Sequence, residues 1–454
     1  MDLKLENQEL LQILSNRKIL ISKDKLLKYL LFTKKNFLNF TLETDYSNAY
    51  GNEKYINPLI WQIGHVVFFY ANLVLNNLPD CNTINYISNY FRYVEFYDSW
   101  KTPLENRIGK LLIPYNKIIE LYHIVIKNLE NYIINNDIGN KESYLIMLGI
   151  LHNEMHNEAF IFTRLNNENI LPHLSIYSDE YFKNSICEEK KIIKNIEYVF
   201  YDSDEFIQGC HDLEDKLVFD NEMPPFKKSI DRFNISKFQI TEYQYLQFIL
   251  DNGYNIDNYW SYNGLLWKNK NNIFLPLYWH KDTNTNEYYK MINGNKLSVK
   301  SNLPIINISY YEANAFCKWS GTRLPTESEY EYVATNGGTT KYPWGNENIE
   351  DKKCNLNYNN FILPVDDYQE GNNNKGVSQL IGNTWEWCQE AIYPYDGFKI
   401  DPVYREMSYP FFGFKKICKG GAFCVPDFLI HPRYRNAQYP DCRIQFIGFR
   451  VCKN

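Results

Sequence analysis

Two histidines stand four residues apart in the segment LHNEMHNEAF, at His152 and His156. Each residue of an α-helix is rotated by about 100° from the one before it, so these imidazoles project about 40° apart from one face. Two imidazoles in that arrangement can reach one metal ion. Glu158 lies about 200° round from His156, so we expect it to fix an imidazole or touch a substrate rather than to bind the metal.

A catalytic metal needs a third protein ligand and an open coordination position. His65, in the apolar segment PLIWQIGHVVFFYANLVL, is the best candidate, because an imidazole without a partner is costly to bury. Two antiparallel helices can bring it opposite His152 and His156. Imidazole suits iron, copper and zinc alike, so the residue types leave the metal open. A polar helix face and a satisfied core histidine are the alternative interpretation.

Four apolar segments must position these histidines. Apolar residues recur at three- and four-residue spacing in DKLLKYLLFTKKNFLNF, PLIWQIGHVVFFYANLVL, YNKIIELYHIVIKNLENYI and SYLIMLGILHNEMHNEAFIFTRL. This spacing predicts four helices and a helix bundle over residues 1–170. Residues 171–197 are a predicted linker. Over residues 198–454, short aromatic segments alternate with Gly, Asn and Pro, which predicts an irregular α+β domain with long loops.

The composition supports packed domains and excludes several classes of protein. The chain has 454 residues, 44% hydrophobic and 17% aromatic, with a net charge of -6, and that length favours two domains. It shows no clustered basic face for nucleic acid, no secretory leader in MDLKLENQELLQ and no apolar run long enough for a membrane span. The ten cysteines show no CxxC and no zinc-type pairing with histidine, so we expect buried, reduced thiols in a cytoplasmic protein.

Several motifs occur in the order found in one known enzyme family. NPLIWQIGH followed by HNEMHNE resembles the His and HxxxHxE elements of the iron-dependent sulfoxide synthases of ergothioneine biosynthesis. Those enzymes join a DinB-like four-helix bundle to a formylglycine-generating-enzyme-like domain of the C-type-lectin-like α+β class. The motifs of that second domain are resembled by FDNEMPPF, TRLPTESEYEYVA, GNTWEWCQE, KGGAFC and RYRNAQYPDCRIQFIGFRV. The resemblance therefore implies the same multidomain fold here.

The resemblance also implies an activity. Fe(II) would be held by His65, His152 and His156. Members of the family use O2 to join a sulfur donor to C2 of the imidazole of hercynine (Nα-trimethylhistidine), and the product is a sulfoxide. The implied partners are small molecules, namely hercynine or histidine, a thiol or selenosugar, and O2, without nucleic acid or membrane. Binding to a metal favours the thiolate and holds the reactants together.

Further site residues follow from the same resemblance. Tyr404 is the nearest match to a proton-donating tyrosine of some members, and Tyr395 is the second choice. Asn436 corresponds to an asparagine near the substrates. It is followed by Ala437 and Gln438, where members that use γ-glutamylcysteine often carry Trp and Asp. Loss of that carboxylate removes a natural partner for the donor's ammonium group, so cysteine and a selenosugar are alternative donors.

Two more residues are expected to contact the substrates. Met155 stands where some members carry a polar residue that faces the substrate, so recognition of the imidazole is expected to differ. Arg107, in TPLENRIG, is a candidate to hold a substrate carboxylate through two hydrogen bonds, and a surface arginine is the alternative.

Three competing functions make different predictions. A copper-dependent formylglycine-generating oxidase needs two cysteines five residues apart. Here Cys424 is followed at that distance by Leu429, and one thiolate is not the soft pair that Cu(I) favours. A histidine–cysteine sulfoxide synthase would keep the chemistry and change the acceptor, although the related bifunctional enzymes carry a further methyltransferase domain. A non-catalytic binding module would work without metal, and the three histidines argue against it.

Overall fold

The computed structural model of the chain describes residues 19–42, 55–79, 94–107, 112–166 and 191–454, apart from 212, 214 and 293. The chain forms two compact units. Unit 1 comprises Met1–Pro172, Asp212–Val218 and Pro402–Tyr404, and unit 2 comprises His173–His211, Phe219–Asp401 and Arg405–Asn454. Most of the predicted linker, 171–197, lies outside the described residues, so the domain boundaries assigned from the sequence stay predictions.

The described core of unit 1 is helical, as the sequence periodicity predicted. Its helices are α1 (Lys23–Thr41), α2 (Leu59–Phe69), α3 (Tyr115–Asn135) and α4 (Asn140–Asn166). Helix α1 begins after Ser22, whose Oγ accepts a hydrogen bond from the Lys25 N–H at 3.4 Å, and such a cap satisfies a donor that has no partner within the helix. Helices α1 and α2 both pack against α3 and α4.

Helix α2 lies in the middle of this core, and each of its residues is buried. By length and composition, Leu59–Asn77 qualifies as a membrane span, yet 89% of its apolar window is buried inside the protein. Core packing therefore accounts for the apolar sequence of this segment.

The close approach of α4 to the continuation of α2 depends on a glycine. After Phe69 the chain continues as a π-helical turn over Tyr70–Val74. A Cβ atom at Gly149 of α4 would lie 2.7 Å from the Tyr70 ring and 2.8 Å from a Val74 methyl group. Since α4 carries His152 one turn later, this packing sets how closely that imidazole approaches α2.

Unit 2 is an irregular α+β structure with long loops, which confirms the predicted class of this region. Its helices are α5 (Glu242–Leu250), α6 (Tyr262–Lys270), α7 (Tyr310–Ser320) and α8 (Glu327–Ala334). Its first strands are β1 (Tyr198–Tyr201), β2 (Asp204–Gln208), β3 (Phe226–Ile230), β4 (Phe233–Ser236), β5 (Trp279–Lys281), β6 (Tyr288–Ile292) and β7 (Asn295–Ser298). The later strands are β8 (Trp385–Ala391), β9 (Lys416–Lys419), β10 (Asn436–Gln438), β11 (Ile447–Gly448) and β12 (Cys452–Lys453).

The strands of unit 2 form small sheets rather than one large one. Their orders are β1-β4-β12, β10-β9-β8-β11, β2-β3 and β5-β6-β7. Strands β8 and β11 pair in parallel, whereas the other pairs are antiparallel. Strand β12, close to the last described residue, pairs with β4 near the start of the unit. The unit is therefore closed by contacts between its two ends.

Buried ion pairs connect the sequence motifs of unit 2. Glu386 of GNTWEWCQE pairs with Arg450 of IGFRV at 2.7 Å, and neither side chain is exposed. Glu327, in the first turn of α8, pairs with Arg435 of RYRN at 2.6 Å. A buried charge is tolerated only with a partner and satisfied hydrogen bonds. These motifs therefore fix one another and define the loop-rich fold.

The cysteines follow the expectation of reduced thiols. The eight in the described part of the chain are buried and lie outside any disulfide. Buried thiols of this kind pack as small apolar side chains.

Candidate metal centre

Unit 1 brings the three histidines identified in the sequence together. His65 projects from α2, and His152 and His156 project from α4. Their ligand-type nitrogens all lie within 4.8 Å of one another. Among the described residues, this is the one group of His, Cys, Asp and Glu side chains close enough to hold a metal ion. The predicted pairing of two helices across the site is thus present.

Two ring nitrogens approach closely at this centre. His65 Nε2 and His152 Nε2 are 3.2 Å apart. The Nδ1 atom of His65 lies 2.6 Å from the backbone carbonyl oxygen of Tyr97, so Nδ1 carries the proton and Nε2 carries a lone pair. The short Nε2–Nε2 distance is satisfied either by one shared proton or by a cation that both nitrogens bind.

A glutamine orients the third imidazole. His156 Nδ1 lies 3.3 Å from Gln62 Oε1. The amide nitrogen of Gln62 donates to the Asn57 carbonyl at 2.9 Å and to Thr163 Oγ1 at 3.3 Å, which leaves its oxygen to accept. His156 Nδ1 therefore donates, and its Nε2 keeps a lone pair. Outer partners that fix the tautomer in this way are a regular feature of metal-binding histidines.

His152 is held by an aromatic ring rather than by a polar partner. Its ring stacks on Phe69 with the centroids 3.6 Å apart and the planes 6° apart. Its Nδ1 atom is buried and has no hydrogen-bond partner among the described residues. A buried polar atom in this state costs free energy, so the site holds His152 in a position that packing alone would not favour.

Burial keeps the three imidazoles neutral near pH 7. Loss of solvation lowers the pKa of His65 from 6.5 to about 4. The pKa values of His152 and His156 are held well below 6.5, first by burial and then by repulsion from neighbouring imidazoles. The Arg107 cation also opposes protonation of His65 and His156. Neutral imidazole is the form that binds a metal, so the donor set fits a divalent transition metal.

The ring of Tyr404 lies beside His152. Its segment, Pro402–Tyr404, belongs to unit 1. Its ring meets His152 edge-on at a centroid distance of 5.9 Å and Phe69 at 5.4 Å. A phenol O–H next to a metal-binding imidazole can deliver a proton to a reacting group.

Tyr395, the second tyrosine chosen from the sequence, lies in unit 2 within a buried network. Its hydroxyl donates to Glu327 Oε1 at 3.2 Å and accepts from Gln208 Nε2 at 3.3 Å. The Arg435 guanidinium lies 4.1 Å from the centre of its ring. These contacts describe a structural side chain, and a catalytic role for Tyr395 stays a prediction.

Arg107 lies over the aromatic wall of the centre. Its guanidinium is 4.1 Å from the centre of the Trp61 ring, and Trp61 stacks on His65 at 4.9 Å. The guanidinium also donates three hydrogen bonds, to Thr102 O at 2.8 Å, to Asn57 Oδ1 at 2.6 Å and to Ser99 O at 3.1 Å. Arg107 thereby ties the 99–107 loop to α2, and its predicted contact with a substrate carboxylate stays a prediction.

The other predicted substrate residues fall into two groups. Met155 and Glu158 are half-buried on α4, beside the histidines in sequence. Asn436 and Gln438 are half-buried in β10 of unit 2. The Asn436 side-chain oxygen accepts the N–H of Ala437 at 2.8 Å. The roles of all four in substrate binding stay predictions.

Comparison with known proteins bears on these observations. The family described as "Sulfatase-modifying factor enzyme 1-like domain" matches residues 190–454, which is more than half of the chain. The chain belongs to this family. The resemblance drawn from the sequence motifs is thereby confirmed.

Relatives of this sulfatase-modifying-factor-like chain include two kinds of enzyme. It is 30% identical over 252 residues to a hercynine oxygenase of Mycobacterium tuberculosis, covering 54% of this chain and 58% of the relative. It is 31% identical over 180 residues to a formylglycine-generating enzyme of Thermomonospora curvata, covering 35% and 57%. The chain thus spans about half the length of the curated relatives that it matches. The solved structure of PvdO from Pseudomonas aeruginosa aligns with a TM-score of 0.38 and 20% identity, over 58% of this chain and 98% of that one.

Sequence reasoning missed several residues that shape the centre of this family member. Gln62 could have been found, since it is a polar residue one helical turn before His65 in an otherwise apolar helix. Phe69 and Trp61 gave no signal, because aromatic residues are frequent throughout the core. The Tyr97 carbonyl could not have been found, because every residue carries a backbone carbonyl and the residue type gives no signal.

Proposed function

We propose that this chain is a nonheme Fe(II)- and O2-dependent oxidoreductase that joins a thiol to C2 of the hercynine imidazole and gives a sulfoxide. The convergence of His65, His152 and His156 within 4.8 Å carries the proposal. Similarity to the hercynine oxygenase of Mycobacterium tuberculosis supports the choice of acceptor.

The proposed reaction balances with O2 as the only oxidant. A thiol S–H bond and the imidazole C2–H bond are broken, and a C–S bond forms. One oxygen atom of O2 is bonded to sulfur, and the other leaves as water with the two hydrogens. The organic substrates lose four electrons, and O2 accepts all four. The histidines and tyrosine therefore need to supply no net redox equivalents.

The three imidazoles would hold Fe(II) on one side, through His65 Nε2, His156 Nε2 and a ring nitrogen of His152. The bound metal would supply O2 activation and favour the thiolate form of the donor. The Tyr97 carbonyl and Gln62 fix two of the rings. The apolar surroundings exclude water from the reacting groups and strengthen electrostatic interactions there.

Tyr404 would hold and deliver a proton through its hydroxyl oxygen. Its ring lies edge-on to His152 at 5.9 Å, and Phe69 supports both rings. A phenol O–H placed beside the reacting groups can act as a general acid and donate its proton to a reacting atom. Tyr404 is therefore preferred to Tyr395 for this role.

The proposal extends to the fold and the location of the protein. It assigns a DinB-like bundle to residues 1–170 and a formylglycine-generating-enzyme-like domain to residues 198–454. The helical core of unit 1 and the family match over residues 190–454 support it. A cytoplasmic location is also proposed, and the eight buried thiols outside disulfides are consistent with a reducing compartment.

The identity of the sulfur donor is the open choice within the proposal. Gln438, on β10, offers no charge to an ammonium group, unlike an aspartate at the same position. Cysteine, γ-glutamylcysteine and a selenosugar are therefore tested side by side, with hercynine and histidine as alternative acceptors. Asn436, Met155, Glu158 and Arg107 are the proposed contacts that would distinguish them.

The direct test is anaerobic reconstitution with Fe(II), followed by mixing each acceptor with each donor in the presence of O2. Uptake of O2 and the product mass are measured. We expect one pair to give a sulfoxide, or the selenium analogue, with one O2 consumed per product. Iron binding without turnover of any pair would contradict the synthase proposal. Binding of an acceptor by the metal-free protein, without turnover of any pair, would favour a non-catalytic binding module.

A further inference from the structure

Two short segments lie within the sequence range of unit 2 but belong to unit 1. They are Asp212–Val218 and Pro402–Tyr404. The second segment carries Tyr404, whose ring lies against His152 and Phe69. The conformation of so short a segment depends on how the chain on both sides of it is held.

One buried carboxylate holds both ends of the Tyr404 segment. Asp220 Oδ2 accepts the backbone N–H of Asp401 at 3.0 Å, and Asp220 Oδ1 accepts the Ser408 hydroxyl at 2.8 Å. Asp220 is 2% exposed, Asp401 7% and Ser408 0%. The contacts are thus shielded from water. Hydrogen bonds to a carboxylate are strongest in such a buried environment.

The same turn also closes the first segment. Asp220–Glu222 forms a 3₁₀ turn directly after Asp212–Val218. The Cys210 N–H donates to the Glu222 carbonyl at 2.9 Å, and the Phe219 N–H donates to Glu222 Oε1 at 3.0 Å. The chain therefore enters and leaves the first segment at one place, and Asp220 lies there.

The turn is itself anchored in the core of unit 2. Arg435 donates to the Asn221 carbonyl at 2.5 Å and pairs with Glu327 at the start of α8. Glu222 contacts His431 at 2.9 Å. A carboxylate on a turn fixed in this way is a rigid point of attachment for Asp401 and Ser408. Burial raises the pKa of Asp220 to about 6, so the carboxylate is buried at a cost, which the two donors offset in part.

We propose that Asp220 is a positioning residue, which fixes the conformation of the segment that carries Tyr404 by accepting hydrogen bonds from the Asp401 N–H and the Ser408 hydroxyl, which together form a clamp. The proposal rests on the proposed function, since it gives the clamp a role in turnover through Tyr404. Asp220 itself does not touch the reacting groups. We expect Asp220 to raise the fraction of molecules in which Tyr404 is correctly placed.

The first test measures hydrogen exchange in peptides that span residues 399–410 of the full-length protein. Ser408→Ala removes one arm of the clamp, and Asp220→Ala removes both. We expect exchange there to become about tenfold faster in Ser408→Ala and faster still in Asp220→Ala, because a charge-assisted hydrogen bond is lost. Unchanged exchange in both variants would overturn the clamp.

A matched control removes the same kind of bond elsewhere in unit 2. Ser301 is 9% exposed and donates to Glu242 Oε2 at 2.7 Å. Ser301→Ala is expected to leave exchange at residues 399–410 and turnover unchanged. If Ser301→Ala accelerated exchange there as much as Ser408→Ala, the effect would be general loosening of unit 2, and the clamp would be rejected.

The second test links the clamp to Tyr404 through kinetics of the iron-loaded protein. Ser408→Ala is expected to lower kcat about tenfold and to leave KM within about twofold, because the chemistry rather than binding is affected. In a Tyr404→Phe background, Ser408→Ala is expected to cause no further loss. An equal loss in both backgrounds would show that Ser408 does not act through Tyr404.

The two tests separate failure of the clamp from failure of the proposed function. If the iron-loaded protein turned over no substrate pair, the proposed function would fail, and the exchange experiment alone would decide whether Asp220 holds the segment. If turnover were found but exchange and kcat were unaffected by Ser408→Ala and Asp220→Ala, the clamp would fail while the proposed function stood.

Discussion

The two units bury polar groups in opposite ways. In unit 2, the buried charges of Glu386 and Arg450 form a complete pair, in which the guanidinium donates two hydrogen bonds to the carboxylate at 2.7 and 2.8 Å. In the described part of unit 1, the ring nitrogens of His65, His152 and His156 converge. The groups that act electrostatically on His152 are the other two imidazoles rather than a counter-charge. A complete ion pair is accounted for by its structural role. Three imidazoles that converge on one point indicate a bound ligand.

The largest difference is expected from loss of a histidine of unit 1. His152→Ala should reduce iron binding from one equivalent to a trace, because two imidazoles do not complete the site. The helical circular dichroism should be unchanged, since among the described residues the hydrogen-bond partner of the ring is His65. Metal content after gel filtration is the measurement, with the exposed His123→Ala of α3 as control. Stoichiometric iron in His152→Ala would remove this residue from the ligand set.

Loss of a complete pair in unit 2 should act on stability instead. Arg450→Met leaves Glu386 buried without its partner, and we expect the free energy of unfolding to fall by about 3–5 kcal/mol. Urea unfolding measures it. Lys300→Met is the control, because Lys300 and Glu287 are 55% and 63% exposed in their pair, and exposed pairs contribute about 0–1 kcal/mol. Equal losses of unfolding free energy in the two variants would contradict the expected difference between a buried and an exposed ion pair.

Acid should destabilise unit 1 of the metal-free protein through its neutral imidazoles. The pKa of His65 is about 4 in the folded state and 6.5 when solvated. Between these values the unfolded chain binds more protons than the folded chain, so stability falls as pH falls. The loss from His65 is expected to reach about 3 kcal/mol and to stop below pH 4.

The His65 contribution is measured as a difference. Urea unfolding of wild type and His65→Phe is compared from pH 7 to pH 4, in the absence of metal. The subtraction removes Asp220, whose raised pKa of about 6 works in the opposite direction. Parallel pH profiles for the two proteins would contradict a buried, neutral His65.

The smallest expected effect concerns the hydrogen bond between Gln62 and His156 in unit 1. Gln62→Leu removes the acceptor for His156 Nδ1 and keeps the size of the side chain. Loss of such an outer partner typically weakens metal affinity by about 10- to 100-fold. A competition titration with a chelator measures it. An unchanged affinity would mean that packing alone orients His156.

Much of this difference between the units could be predicted from sequence. The three- and four-residue spacing located the four described α-helices of unit 1, and the spacing of His152 and His156 located two members of the centre. His65 was found because a histidine is unusual in so apolar a helix. These are local signals, which depend on residue type and short spacing.

The remainder depends on contacts between distant residues. Glu386 and Arg450 are 64 residues apart, and Glu327 and Arg435 are 108 apart, so no local pattern pairs them. The π-helical turn at Tyr70–Val74 packs against α4, and a contact between segments so far apart in sequence has no local pattern. The acceptor for His65 is a backbone carbonyl, which any residue type would supply.

The most direct test of the central claim is the X-ray absorption spectrum of the Fe(II)-loaded protein, recorded for wild type and for His65→Ala. We predict three imidazole ligands on a single iron in wild type, and both fewer imidazoles and weaker binding in the variant. Two or fewer imidazoles in wild type, or an identical spectrum for His65→Ala, would contradict a three-histidine centre.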